Sequence, residues 1–174
     1  MSYDPYALAF PASAFPVSSK DFEAGGALPA SAYATESTPG ESPELSWGPL
    51  PEGTRGLVVT AFDADAPIPG GLWHWVVKDI PSTVSGLASG AGADLPPGAV
   101  HLTNDLGVTG WSGVNPPPGT GTHRLYLCVT ALDVDAIDVP DGASLAMFNI
   151  LLIAHTLGRA VLVGTSQPPA PDPN

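Results

Sequence analysis

Apolar and polar residues alternate with a period of two in three stretches of the chain. In "GLVVTAFD" (56–63), Leu57, Val59, Ala61 and Asp63 fall on one face, because successive strand residues point to opposite sides of a sheet. "LWHWVVKDI" (72–80) places Leu72, His74, Val76 and Lys78 on one side, and Trp73, Trp75, Val77 and Asp79 on the other. "THRLYLCVTALD" (122–133) aligns His123, Leu125, Leu127, Val129 and Ala131. β-Branched and aromatic residues between Gly and Pro signals mark all three as strands. Shorter strands are expected at Phe15–Ser18, Glu44–Trp47 and Val100–Leu102, and a last one over 160–165. One segment has the helical period instead. In "SLAMFNILLIAHTLGRA" (144–160), Leu145, Phe148, Leu151, Leu152 and His155 share a face, with Gly158 as the expected C-terminal cap. The connection over 82–121 is long and poor in regular elements, and such connections are often functional.

Composition narrows this to a mainly β chain. A length of 174 residues suits one domain, with 1–165 as its extent and the polar tail 166–174 expected to be disordered. The 21 prolines and 20 glycines are spread between apolar runs, so they act as turn punctuation rather than low-complexity sequence. Five basic residues against 17 acidic ones leave a net charge of -12 with no basic stripe. That argues against nucleic acid and against an anionic membrane surface. A small anion held by local donors stays compatible. Cys128 is the single cysteine, which precludes an internal disulfide and reads as a small buried hydrophobe. The N-terminus lacks the pattern of a signal peptide. The apolar stretch 145–157 is shorter than the roughly 20 residues a bilayer span needs. No membrane span is expected, and the chain reads as soluble and cytoplasmic.

Polar residues at strand ends supply the candidate chemistry. Asp63, His74 and His123 each lie at or near the end of a strand with mostly apolar neighbours, beside a loop rich in Pro and Gly. Neighbouring strands would bring them to one rim. Each has a plainer reading. A strand histidine can be a hydrogen-bonded core residue, Asp63 and Asp65 can make Asx turns, and Trp73 and Trp75 can be packing. His101 and His155 read as structural. G-x-S-x-G, the phosphate loop and G-x-G-x-x-G are missing, as are H-E-x-x-H and C-x-x-C. No catalytic nucleophile, metal site or cofactor is therefore expected. A facial triad of two histidines and an aspartate has weak support without H-x-D/E spacing.

Two blocks of this sequence carry a family resemblance. "DADAPIPGGLWHWVVKDIP" resembles the D-P-D-A-P segment and tryptophan–histidine strand of the phosphatidylethanolamine-binding proteins. "NDLGVTGWSGVNPPPGTGTHRLYLCVTALD" resembles their G-Y-x-G-P-x-P-P-x-G-x-x-H-R-Y block, and "SPELSWGPLPEGTRGLVVTAFD" the lead-in. The likeness spans residues 40–165 and is nearest the bacterial, Raf-kinase-inhibitor-like branch. It implies a large antiparallel sheet packed on a smaller sheet, with a C-terminal helix. It also implies a rigid surface pocket for phosphate or a phospholipid head group. Asp63, Pro67, His74, Gly113, Asn115, Pro117 and His123 match the pocket positions, with Trp73 beside the ligand and Asp65 and Arg124 behind it. Ala64 stands for a motif proline, Asn115 for a glycine, Trp111 for a tyrosine and Leu125 for a tyrosine. These departures imply a pocket more apolar on one side.

The expected mechanism has Asp63 orienting a histidine and raising its pKa, so that His74 and His123 donate N–H groups to an anion. Backbone N–H groups of the Gly113–Gly119 loop would add donors. The rivals are an acid–base or metal-dependent enzyme built on Asp63, His74 and His123, an inhibitor of a protein partner such as a kinase or protease, and a vestigial pocket. Four tryptophans exceed what one core of this size must bury, and the resembled bacterial proteins suggest a homodimer.

Overall fold

The computed structural model describes residues 3–168. Besides a 3-10 turn at Ala30–Ala32, the described residues form nine strands and one α-helix in the order β1 (Ser13–Ala14), β2 (Val17–Ser18), β3 (Leu45–Trp47), β4 (Gly56–Asp63), β5 (Leu72–Pro81), β6 (Gly86–Leu87), β7 (Val100–His101), β8 (His123–Leu132), α1 (Leu145–Ile153) and β9 (Thr156–Ser166). A six-stranded sheet has the order β1-β9-β8-β4-β5-β7, and a smaller sheet the order β2-β3-β6. The large sheet is mixed rather than wholly antiparallel, because β1 runs parallel to β9.

The alternation read from the sequence decides the layers. Leu57, Val59 and Ala61 of β4 face the small sheet together with Leu125, Leu127, Val129 and Ala131 of β8. They meet Leu45, Trp47 and Leu87 there in the main core. Truncating one such fully buried leucine costs about 2–5 kcal/mol. The opposite face of the large sheet is covered by α1. Its Phe148 and Leu152, four residues apart, pack on Val58 and Val76. Ser144 caps this helix, its hydroxyl accepting the Met147 N–H. Three of the four tryptophans, Trp47, Trp75 and Trp111, are buried in the main core and Trp73 is partly buried on the helix side. One chain therefore accommodates all four, which removes them as an argument for a dimer.

The helix is shorter than its periodicity suggests. It ends at Ile153, where the Leu152 carbonyl accepts the Ala154 and His155 N–H groups and the Thr156 hydroxyl. Residues 156–160 are strand, because β9 pairs with β8 from Leu132↔Thr156 to His123↔Ser166 and accepts β1 on its other edge. Tertiary pairing overrides a locally helical pattern. Gly158 is thus no helix cap: it lies in β9, where a Cβ would sit 2.6 Å from Pro51 Cγ and 2.9 Å from the Ser13 carbonyl. His155 leaves the apolar face and sits in the turn, half-exposed, with Nδ1 2.8 Å from Asp133 Oδ1. Ser166, assigned to the tail by its sequence, closes β9, and Gln167 Nε2 donates to Thr122 Oγ1. Residues 169–174 of the expected tail lie outside the described residues. Cys128 is buried as expected, and burial pushes its thiol up to about 11.

Register between β4 and β5 slips twice. Ala61 pairs with Trp75 and Phe62 with Trp73, so His74 has no partner on β4. A second slip lies between Leu57 and Val59, opposite Lys78 and Asp79. Each inserts one extra residue into β5, which is a β-bulge.

Candidate functional site

The first bulge sets the position of His74. Regular alternation would carry Trp73 and Trp75 to the same face. The extra residue sends Trp75 into the main core and Trp73 to the opposite face, where its ring centroid lies 4.6 Å from that of Phe62. Trp73 is therefore absent from the pocket, contrary to its expected place beside the ligand. His74 is aimed at the rim between β4 and β8 and is only 3% exposed.

A cavity of about 330 Å³ opens at that rim. Asp63, Pro67, His74, Gly113, Asn115, Pro117 and His123 line it together. The remaining wall is apolar, from Ile68, Leu72 and Leu106 among others. Leu125 and Trp111 do not contribute to it. Leu125 is 1% exposed in the main core, and Trp111 packs edge-on against Trp75 at 5.9 Å. The expected apolar side thus comes from loop residues rather than from those two replacements. Ala64 has a clear reason: its N–H donates to the Arg124 carbonyl at 3.1 Å, a bond proline cannot make.

Asp63 takes both of its proposed roles. Its Oδ1 accepts the Asp65 N–H at 2.9 Å, an Asx turn, and its Oδ2 accepts from His123 Nδ1 at 2.7 Å. The other His123 nitrogen, Nε2, lies 2.7 Å from Thr120 Oγ1, which donates to the Pro117 carbonyl at 2.7 Å. Both ring nitrogens of His123 are thereby engaged inside the protein. Asp65 is gripped by Arg124, with Nε 2.6 Å from Oδ2 and Nη2 2.7 Å from Oδ1. These bonds hold the Asp65 carboxyl below its usual range and raise the guanidinium. Asp65 and Arg124 are not among the residues that line the cavity.

His74 is held differently. Its Nδ1 lies 2.7 Å from the Ser112 carbonyl, and its own carbonyl accepts from Ser112 N–H at 3.0 Å and Asn104 Nδ2 at 2.9 Å. Nε2 is buried with no hydrogen-bond partner among the described residues. Burial lowers the His74 pKa, and outweighs the Ser112 bond and the Asp63 charge that push it up. The expected upward shift does not hold for this ring.

Two N–H groups of the Gly113–Gly119 loop, those of Gly113 and Val114, are turned away from the donor nest expected of it. Gly113 N–H donates to the Pro39 carbonyl at 2.8 Å, Val114 N–H to Ala32 at 3.0 Å and Thr120 N–H to Pro117 at 3.3 Å. Gly113 serves this packing, for a Cβ there would lie 2.4 Å from the Ala34 nitrogen. Asn104 holds the backbone beside His74, a place the sequence did not reveal. Besides His74, its Nδ2 reaches Ser112 Oγ at 2.8 Å, and its Oδ1 accepts from Leu106 and Val108 N–H groups. Thr120 was likewise unmarked. Among the described residues no group of three His, Cys, Asp or Glu side chains is placed to hold a metal ion.

Residues 18–167 match the phosphatidylethanolamine-binding protein family. The chain belongs to this family. It is 43% identical to the YbhB protein of Escherichia coli K12 over 122 residues, 68% of this chain and 77% of YbhB. It is 38% identical to E. coli YbcL over 157 residues, 86% of this chain and 85% of YbcL. The crystal structure of YbcL, described as a member of the mammalian phosphatidylethanolamine-binding family, superposes with a TM-score of 0.81 at 36% identity, covering 88% of this chain and 98% of that one. The Chlamydia trachomatis homologue CT736 gives 0.76 at 29% identity, over 90% and 99% of the two chains. The family fold accounts for the two-sheet architecture. A Mycobacterium tuberculosis relative, 35% identical over 125 residues, carries a lipoprotein name. Family membership therefore does not fix the compartment. Among the described residues no helix is long and apolar enough to cross a membrane.

Proposed function

We propose that this family member binds a small oxyanion, phosphate or a phosphorylated head group, in the cavity between His74, His123 and Pro117. One observation carries the reading. Nε2 of His74 is a buried polar atom without a protein partner at the wall of a 330 Å³ cavity, and such an atom costs about 1–3 kcal/mol until something bonds it. The usual objection, an aspartate beside an anion, loses force here. Both Asp63 oxygens are occupied by protein donors, and Asp65 is paired with Arg124. The family likeness to phosphatidylethanolamine-binding proteins supports a head-group ligand of this size. Binding without turnover is the accompanying reading. Thr120, His123 and Asp63 form a hydroxyl–imidazole–carboxylate chain, but the Thr120 hydroxyl donates to Pro117 rather than to the ring.

Isothermal calorimetry with inorganic phosphate and with phosphoethanolamine at pH 6 tests the reading. The wild-type chain is expected to bind one equivalent, and His74→Ala to lose at least about 100-fold in affinity while keeping its circular dichroism spectrum. Flat titrations of the wild-type chain with both compounds would remove the proposal.

A further inference from the structure

Hydrogen-bond directions at the cavity restrict which form of an oxyanion fits. The Ser112 carbonyl can only accept, so Nδ1 of His74 carries a proton. In the neutral ring Nε2 is then a lone pair, an acceptor rather than a donor. Donors elsewhere on the wall are few. The Gly113 N–H is bonded to the Pro39 carbonyl and prolines 116 and 117 have none, so among the lining residues of this loop the Asn115 amide is the remaining donor. Nε2 of His123 is covered by Thr120. An oxyanion stripped of its hydrogens would set lone pair against lone pair at His74.

We propose that the pocket takes its oxyanion in a protonated form, the ligand's own O–H donating to Nε2 of His74. This rests on the oxyanion reading above and deepens it by naming the ligand class. The class is an oxyacid that keeps one hydrogen, such as a phosphomonoester monoanion or a carboxylic acid. Dianions and diesters fall outside it. No bond is made or broken; one proton is shared between the ligand oxygen and Nε2.

The charged groups around His74 come from several elements. Asp63 on β4 and Asp105 in the loop after β7 favour a proton on the ring, and His123 on β8 opposes it. Burial is the largest influence and lowers the ring's pKa. The free protein therefore does not load Nε2 as pH falls through about 6.5, the ordinary histidine value. The proton arrives on the ligand, so the pH dependence of affinity belongs to the ligand.

Calorimetric titrations of the full chain from pH 5 to 8.5 with methyl phosphate, acetate and dimethyl phosphate decide this. Only the protonated fraction binds, so affinity is expected to fall about tenfold per pH unit above each probe's own pKa. For methyl phosphate the fall begins near about 6, the second pKa of a phosphomonoester. For acetate, a carboxyl with a pKa of about 4–5, affinity falls across the whole range. Dimethyl phosphate, with no hydrogen to give, is expected to bind at least about tenfold more weakly than methyl phosphate at pH 5.5. His74→Gln, whose amide can donate, is expected to flatten the methyl phosphate profile. If that variant does not fold, the wild-type series still decides. A single midpoint near pH 6.5 shared by methyl phosphate and acetate would overturn the proposal, as would equal binding of the diester. No binding of any probe at any pH would overturn the oxyanion reading itself, and the proposal with it.

Discussion

At His74 and at Lys78–Asp79 the same strand, β5, breaks register with the same neighbour, β4, and the outcomes differ. At the second bulge both side chains, Lys78 and Asp79, find protein partners. Lys78 Nζ bonds Asp79 Oδ2 and the Ile137 carbonyl, and Asp79 Oδ1 accepts the Ile137 N–H at 2.9 Å. Asp79 holds a left-handed φ of 59° to do so, a conformation that short polar residues tolerate. That bulge ties the loop around Ile137 to the sheet and is chemically closed. At the first bulge the backbone carbonyl and Nδ1 of His74 are satisfied, but Nε2 is left without a partner beside a cavity. One irregularity is a structural tie and the other leaves a bonding site open. The difference lies in whether the inserted residue's last polar atom meets protein.

Three measurements press on that contrast, in falling order of expected effect. Asp63→Ala removes the partner of buried His123 and the Asx turn that shapes the open side. Breaking a buried pair costs about 3–5 kcal/mol, or about 6–20 °C in Tm at 2–4 °C per kcal/mol for a domain of this size. Ligand heat is expected to vanish with it, and a Tm within 2 °C of wild type by calorimetric melting would show that the pair carries little. Asp79→Ala opens the closed bulge. It is expected to cost about 1–3 kcal/mol through the unpaired Ile137 N–H while phosphate affinity stays within about twofold. A large affinity loss in this variant would mean that the two bulges are coupled.

The smallest effect is in the pH dependence of stability. Folded His74 has a lowered pKa, so the unfolded chain takes up a proton that the folded ring refuses. His74 therefore contributes stability above about pH 6.5 that is lost as pH falls below it, until the folded ring also protonates. The slope from this group is at most about 1.4 kcal/mol per pH unit. Urea unfolding between pH 7.5 and 5.5 is expected to show a shallower slope for His74→Ala than for wild type, and an unchanged slope for Asp79→Ala. Equal slopes in wild type and His74→Ala would mean that His74 is not buried neutral.

What was legible in the sequence follows from what period-two alternation encodes. β4 and β8 are regular, so Leu57 to Asp63 and His123 to Ala131 were readable as faces, and with them the convergence of Asp63 and His123. The Pro-Gly block beside His123 marked Pro117, Gly113 and Asn115 as cavity residues by family likeness. A bulge cancels the alternation without any mark in composition, so Trp73 could not be separated from Trp75 by counting. The overrun of α1 has the same origin: Leu157 and Ala160 suit a helix, and only the partner strands β8 and β1 show why they are extended. Thr120 and Asn104 act through hydrogen bonds that exist once the loops have closed. Hydrogen-bond direction was the least legible of all. The Gly113 and Val114 N–H groups looked available to an anion until their acceptors at Pro39 and Ala32 were in view.

The tautomer of His74 is set by a main-chain atom. Ser112 offers its carbonyl to Nδ1 and its N–H to the His74 carbonyl, and neither group changes when the Ser112 side chain is replaced. Sequence drift around position 112 can reshape the walls, and with them the choice among ligands, while the ring's proton stays where the backbone puts it.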